Sequence, residues 1–249
     1  MAQVTLLKNL TRASATQRIK VRCVHAYNTY WAGKTTEALS LECIMHDEEG
    51  VKIHVTFPKS VVHVKGHLIN EGDIYLMQNF FVKNSPRKYK TTSHYYKIQI
   101  YDKTMITKIE DPIFCWCPCN VMNISDIANL SEVESCPLFD VVGVAKGCSK
   151  VVDDPRSKLL ELALEDEKLY FNYKFVLMSA MLLCVVLFGG ENVDLFLSQR
   201  DSQMIVPIVL VRLYKASKFN GQIRCGTVYN ASKVCLNKDI SVINQFRQS

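Results

Sequence analysis

The first half of the chain alternates hydrophobic and polar residues in several short runs. In the run TQRIKVRCVHA, every second residue from Ile19 to Cys23 is apolar, and the residues between and before them are Arg or Lys. This period of two predicts a strand with one buried face and a basic outer face. Apolar residues between positions 61 and 68 predict a short helix. Similar runs, bounded by turn residues, predict five strands in all, over residues 16–26, 39–46, 51–57, 74–82 and 94–100.

The second half repeats this order of elements. The spacing of Val193, Phe196 and Leu197 places them on one face of a short helix. Asn220-Gly221 predicts a tight hairpin into a last strand, because both residues tolerate a positive φ. Residues 139–144, 159–164, 173–188 and 204–219 supply the four preceding strands.

Five strands with a helix between the third and fourth are the order of an OB fold, a partly open barrel whose exposed face binds oligonucleotides. Because the order occurs twice, the sequence predicts a mainly β protein of two tandem OB-fold barrels. We place the first over residues 1–111 and the second over 138–249. Residues 112–137 then form an ordered linker with Phe114, Trp116 and Ile124 as apolar anchors.

Positive charge is concentrated in the first half. The chain has a formal net charge of +6, and residues 1–110 carry 16 Lys and Arg against 9 Asp and Glu. An excess of this sign favours a polyanionic partner through electrostatic attraction and counterion release. The alternative, that these are ordinary solvated side chains, stays open at this stage.

The cysteines and the hydrophobic runs indicate a soluble protein in a reducing compartment. The 10 cysteines are scattered, mostly inside strand-like runs, as buried free thiols usually are. The N-terminus lacks an apolar segment of signal-peptide length. The most hydrophobic run, over residues 175–188, is too short to span a bilayer, so we expect no membrane association.

Motifs for metal binding and catalysis are weak. Cys115, Cys117 and Cys119 are too closely spaced for structural zinc, which needs four ligands, usually in paired elements. His63 and His67 lack a third ligand nearby, and Gly33-Lys34-Thr35 lacks the preceding glycine and the following helix of a phosphate-binding loop. We therefore expect no metal, no cofactor and no enzymatic activity.

Aromatic and basic residues at strand ends and in loops are the candidate nucleic-acid contacts, because bases stack on rings while phosphates contact cations. In the second barrel, Phe188 closes one strand and Phe219 lies at the mouth of the hairpin, beside Lys215 and Lys218. In the first barrel, the aromatic candidates in the loop after the first strand are Tyr27, Tyr30 and Trp31. The basic candidates there are Arg22, Lys52, Lys83, Arg87, Lys88 and Lys90.

Several segments resemble the tandem OB folds of the large, DNA-binding subunit of replication protein A, most closely its short plant members. These are LSLECIMHDEEG, GDIY and HYYKIQIYDKT in the first copy, and LFDVVGVAK, LFGGENVDLF and FNG in the second. The resemblance implies single-stranded DNA binding in replication, repair or recombination, a nuclear location and association with other subunits. It places second-copy stacking on Phe188 and Phe219, whereas Leu41 and Met77 replace the first-copy aromatics.

Two functions follow from these observations. The first is single-stranded DNA binding by a basic groove and stacked bases. The alternative is a protein-interaction scaffold whose OB folds have lost nucleic-acid binding, which Leu41, Met77 and the near-neutral second half favour. Salt dependence of binding distinguishes them, since a hydrophobic peptide groove would show little.

Overall fold

The chain forms two compact units, Met1–Pro118 and Cys119–Ser249. The division lies inside the segment 112–137 that the sequence marks as a linker. Phe114 is buried in the first unit, whereas Ile124 and Ile127 belong to the core of the second. The computed structural model describes residues 4–12, 17–31, 37–86, 90–116, 119–133, 135–154, 157–165, 183–188, 194, 197–198, 207–219, 222–228 and 231–248.

The first unit is a β-barrel with one short helix. Its strands alternate as their sequence predicts: in β3, Ile53, Val55 and Phe57 are fully buried, and the residues between them are half-buried. A 3-10 turn at Leu7–Asn9 precedes the barrel. The elements are β1 Arg18–Thr29, β2 Ser40–His46, β3 Lys52–Pro58, α1 Lys59–Lys65, a 3-10 turn Gly66–Leu68, β4 Ile74–Gln78, β5 Phe81–Asn84, β6 Tyr96–Gln99 and β7 Met105–Ile109.

Strand pairing gives this unit OB topology. β1, β2 and β3 form an antiparallel meander, β1 also pairs with β4, and β3 pairs with β6 in parallel. β4–β7 and β5–β6 are two halves of one long hairpin, interrupted after Gln78. β4 with β5 is therefore the fourth OB strand, and β6 with β7 is the fifth. The predicted order of five strands with a helix after the third is confirmed.

The second unit has the same pairing. β8 pairs with β9 and β11, β9 pairs with β10, and β10 closes the barrel in parallel with β12. β11 and β12 pair antiparallel up to Phe219 and Gln222. The predicted hairpin residues between them, 220–221, lie outside the described residues. The elements are α2 Ile124–Ala128, β8 Phe139–Asp154, β9 Ser157–Glu165, β10 Leu183–Phe188, β11 Ile208–Phe219, β12 Gln222–Thr227, β13 Lys233–Leu236 and a C-terminal helix Ser241–Gln248. Both units are therefore OB folds.

In the second unit, one predicted strand has different bounds, and two predicted elements lie only partly within the described residues. The first strand does not end at Val144 but continues to Asp154, where it pairs with Ser157. Beyond Val144 the strand is held by its backbone pairing with β9, which continues across two register shifts. This pairing does not depend on an alternation of hydrophobic and polar residues. Of the predicted third strand over residues 173–188, only 183–188 lie in the described part of the chain. The predicted helix is represented by three helical residues, Asp194, Leu197 and Ser198.

Each unit has an equivalent corner in its fourth strand. Asn79 and Leu213 both have positive φ, at 56° and 54°. In the first unit the Thr104 hydroxyl accepts from the Tyr101 N–H at 3.1 Å and donates to the Asn79 carbonyl at 2.6 Å. In the second, the Ser232 hydroxyl accepts from the Val228 N–H and donates to the Leu213 carbonyl, both at 2.7 Å. The internal repeat thus extends to the hydrogen bonds that fix the break in the strand.

Each barrel encloses its own apolar core. Leu41 and Met77, which replace the aromatics of the resembled family, are 8% and 0% exposed inside the first barrel and cannot stack on a ligand. Within the described residues, the buried cysteines Cys23, Cys43 and Cys235 form no disulfide. No helix in this part of the chain combines the length and the apolarity that crossing a membrane requires.

Candidate nucleic-acid interface

The outer face of the first barrel is a continuous surface across β1, β2, β3, β6 and β5. Strand register aligns one row of residues across it, Tyr27, Glu42, Thr56, Gln99 and Phe81. A second row contains His25, Ile44, His54, Lys97 and Lys83. In OB folds the ligand lies on the face of the second and third strands, between the loops that join strands one to two and four to five. These loops are residues 30–39 and 85–95, and we call the surface between them the outer face.

Glu42 lies at the centre of the outer face within a hydrogen-bond network. Its carboxylate accepts from the hydroxyls of Ser40 and Thr56 and lies 2.5 Å from Nε2 of His54. Nδ1 of His54 lies 2.6 Å from the Thr91 hydroxyl, which links the network to the 85–95 loop. Burial alone would raise the pKa of Glu42, but these hydrogen bonds and the charge of His54 hold it below the usual value. The centre of the face therefore carries a fixed carboxylate.

Lysines gather on one side of this centre. Lys83 and Lys97 are directly opposite each other on β5 and β6, and Lys97 is opposite His54 on β3. Lys52 lies in the neighbouring row of β3. Among the described residues no ion pair is formed by Lys52, Lys83, Lys90 or Lys97. Because like charges directly opposite each other destabilise a sheet, this arrangement favours an anionic ligand.

Exposed aromatic rings lie on the same face and in its loops. Trp31 in the 30–39 loop is 62% exposed, and Tyr95, just before β6, is 67% exposed. Phe81 is 50% exposed and stacks on Tyr101, with ring centroids 4.4 Å apart. Phe81, Tyr95, Tyr101 and Lys97 were not among the predicted site residues. The alternation of HYYKIQIY, residues 94–101, is the signal that could have placed Tyr95, Lys97 and Tyr101 outside, because Ile98 and Ile100 between them are buried.

The three aromatic candidates at the end of β1 occupy different settings. The prediction that Tyr27 lies in a loop is wrong, because pairing with β2 continues to Thr29 and keeps Tyr27 in the strand. Tyr27 is half-buried next to His25, and burial together with the nearby Glu42 carboxylate raises the pKa of its phenol. Tyr30 and Trp31 do follow the strand. Only Trp31 of the three presents most of its ring to solvent.

The basic face at the start of β1 is engaged within the protein. Lys20 forms ion pairs with Glu48 at 2.9 Å and Asp111 at 3.0 Å. The Arg22 guanidinium lies 5.4 Å from the ring centroids of both Phe114 and Trp116. Arg22 therefore borders the outer face with its planar group already in contact with two rings. Of the other predicted basic contacts in this unit, Lys52, Lys83 and Lys90 are described above, and Arg87 and Lys88 lie outside the described residues.

In the second unit, both predicted stacking residues occupy strand ends. Phe188 ends β10 and Phe219 ends β11, and their side chains lie outside the described residues. Val186, two residues before Phe188, pairs with Gly226 on β12, whereas Phe219 pairs with Gln222. Phe188 and Phe219 are thus separated by about six residues along β12, or roughly 20 Å at the rise of a strand. They could contact bases several nucleotides apart.

The two predicted lysines of this unit lie on β11. Lys218 is exposed and lines an open cavity of about 370 Å³ with Ser131, Glu132, Val133 and Ser135. Lys215 is half-buried. The described residues contain no group of three or more His, Cys, Asp or Glu that could hold a metal ion.

Comparison with known proteins finds one matching family profile and several solved structures of similar fold. A profile of the family described as "Domain of unknown function DUF223" matches residues 8–126. No curated protein matches the sequence.

Solved structures give the architecture of the whole chain. A chain of a replication protein A heterotrimer bound to ssDNA superposes with a TM-score of 0.60 at 16% identity, covering 98% of this chain and 54% of that chain. This protein therefore spans about half the length of that subunit. The Ifi202 HINa domain in complex with 20-bp dsDNA gives a TM-score of 0.48 at 13% identity, covering 89% and 96% of the two chains. An OB domain from Methanosarcina mazei gives 0.33 at 19% identity, covering 44% and 86%. The first of these similarities supports the OB assignment across both units.

Proposed function

We propose that this protein is a non-catalytic single-stranded DNA-binding protein that uses both OB folds. In the first, the strand lies along the lysine-rich side of the outer face, over β3, β6 and β5. In the second, bases stack on Phe188 and Phe219. The replication protein A heterotrimer, which shares the fold across this chain, was solved bound to ssDNA and supports this choice of ligand.

The observation that carries the proposal is the presence, on one face, of exposed rings beside lysines that form no ion pair with any other described residue. Lys83 and Lys97 repel each other in the free protein, and a phosphate between them would relieve that repulsion. Phe81 follows in the next row, two residues or about 7 Å along the same strand. Its stacked partner Tyr101 holds it in place, so a base stacking on this pair would order no free side chain.

We place this activity in DNA replication, repair or recombination in the nucleus, together with other replication protein A subunits. This setting rests on the sequence resemblance of the two OB folds and on the shared architecture. Affinity should depend only weakly on base sequence, because every base has a face that can stack.

A direct test is fluorescence anisotropy with a labelled single strand of about 30 nucleotides, long enough for two OB folds at about 4–16 nucleotides each. Binding should be tight at low salt and weaken steeply as salt rises. Phe188→Ala with Phe219→Ala should weaken it by about 2 kcal/mol or more, or about 30-fold, since two stacked bases are lost. Circular dichroism of the variant controls for folding. A folded wild-type protein that binds no single strand at low salt would refute the proposal.

A protein-interaction scaffold is the second candidate, and two observations favour it. Leu41 and Met77 are core residues, and the centre of the outer face holds the Glu42 carboxylate rather than a cation or a ring. An OB face of this kind could receive a peptide with hydrogen-bond donors. Binding of a protein partner that changes little between low and high salt, with no DNA binding, would favour this function.

A further inference from the structure

The segment from Asp111 to Trp116 is folded back onto the first barrel, and we call it the strap. At its first turn, the Asp111 carboxylate accepts from the N–H of Ile113 and the Asp111 backbone carbonyl accepts from the N–H of Phe114, at 3.1 Å each. Its carboxylate also pairs with Lys20 on β1 at 3.0 Å. The Cys115 thiol donates to the Glu48 carbonyl at 3.1 Å. Contacts at both ends therefore hold the strap against β1 and the turn after β2.

Arg22 is the centre of the strap's contact with the barrel. Its Nη2 donates to the Phe114 carbonyl at 3.1 Å, and its guanidinium lies 5.4 Å from the centroids of both strap rings. Phe114 is only 6% exposed and also contacts His46, at 5.5 Å between ring centroids. Phe114 thus fulfils the anchoring role that an apolar linker residue usually has.

Trp116 differs from Phe114 because it stays 48% exposed. Its ring contacts Arg22 and the edge of His46, the latter at 6.4 Å, and the rest faces solvent. Strand register places Arg22, His46 and Lys52 in one row across β1, β2 and β3. Burial lowers the pKa of His46, and the positive charges of Lys52 and Arg22 lower it further. Trp116 therefore lies at the border of the outer face, on the side of Lys52.

We propose that the strap supplies Trp116 as a base-stacking ring at the edge of the first barrel's outer face. A DNA single strand that contacts Lys52 would reach this ring next. This inference rests on the proposed function. An indole held by a guanidinium and still about half exposed is pre-organised, so stacking a base costs little side-chain entropy. Arg22 then acts as a positioning residue that holds the ring through a cation–π contact. The site belongs to the segment that follows β7 within the first unit rather than to the loops of its barrel.

The chain offers a selective spectroscopic test, because Trp31 and Trp116 are its only tryptophans. The variant Trp31→Phe leaves Trp116 as the only indole. Titrating it with the single strand should quench its emission, and saturating DNA should protect it from acrylamide. Trp116→Phe alone, with Trp31 retained, controls for signals from the other position. Anisotropy of labelled DNA, recorded in the same titration, reports binding independently of tryptophan.

Affinity provides the second measurement. Trp116→Leu should weaken binding about 5- to 150-fold, the loss expected for one stacked base, whereas Trp116→Phe should recover much of it. Chemical unfolding of each variant shows whether the strap still stabilises the barrel. Tight binding by anisotropy with unchanged Trp116 emission and unchanged affinity of Trp116→Leu would overturn the strap inference alone. A folded protein with no DNA binding in any assay would overturn the proposed function and this inference together.

Discussion

Replacing both Lys83 and Lys97 with glutamine should weaken DNA binding while leaving the barrel as stable as before, or slightly more stable. The two lysines are directly opposite each other on β5 and β6, and His54 is opposite Lys97 on β3. Removing two like charges relieves their repulsion in the free protein. The same change removes two phosphate contacts from the proposed complex.

The salt dependence gives the magnitude. For single strands, each phosphate contact contributes about −0.7 to the slope of log affinity against log salt concentration. Losing two contacts should reduce the slope by about 1.4. Between 50 and 200 mM salt, the wild-type protein should therefore lose about sevenfold more affinity than the double variant.

The assay is anisotropy of a labelled single strand across a salt series, with urea unfolding of the same preparations. Lys8→Gln with Lys108→Gln is the matched control, because it removes the same charge from exposed lysines that already pair with Glu49 and Asp73. Equal salt slopes in the wild-type protein, the double variant and the control would refute the assignment of this lysine pair to the phosphates.

Three further predictions concern the network, the corners and the strap. Glu42→Gln should destabilise the first barrel by about 1–2 kcal/mol near neutral pH. Because folding lowers the pKa of Glu42, the stabilisation by its carboxylate is complete above about pH 4.5 and is lost as the pH falls through the pKa of the folded state. The unfolding free energies of wild type and variant, measured in urea, should therefore converge in acid. Thr104→Val and Ser232→Ala should each lower the unfolding free energy of their own unit by about 1–3 kcal/mol, and by similar amounts. Each substitution leaves one N–H and one carbonyl without its hydroxyl partner. Clearly unequal losses would contradict the equivalence of the two corners. Arg22→Lys keeps the positive charge but loses the planar guanidinium, so DNA affinity should fall if Arg22 positions the strap rings and stay unchanged if it serves only as a charge.

The order of the strands and the side of each strand that is buried could be predicted from local patterns in the sequence. Alternation in VKIHVTF requires Ile53 and Val55 to face one side, and the barrel interior is the only place that buries them. Asn220-Gly221 predicted a hairpin from its tolerance of positive φ, and the strands on either side of these two residues do pair antiparallel. Local rules of this kind act over a few residues, so they can be read from the chain in order.

Contacts between distant residues were decided only by the tertiary structure. The parallel pairing of β3 with β6 brings Lys97 opposite His54, and it is this closure that gathers the lysines on one side of the face. Nothing local to Arg22 indicates that a segment about 90 residues later covers it. Likewise, Leu213 adopts a positive φ, which its own sequence disfavours, because the Ser232 hydroxyl and the repeated corner fix the strand there. Charge and ring types were visible in the sequence, but which of them share a surface depends on how the barrel closes.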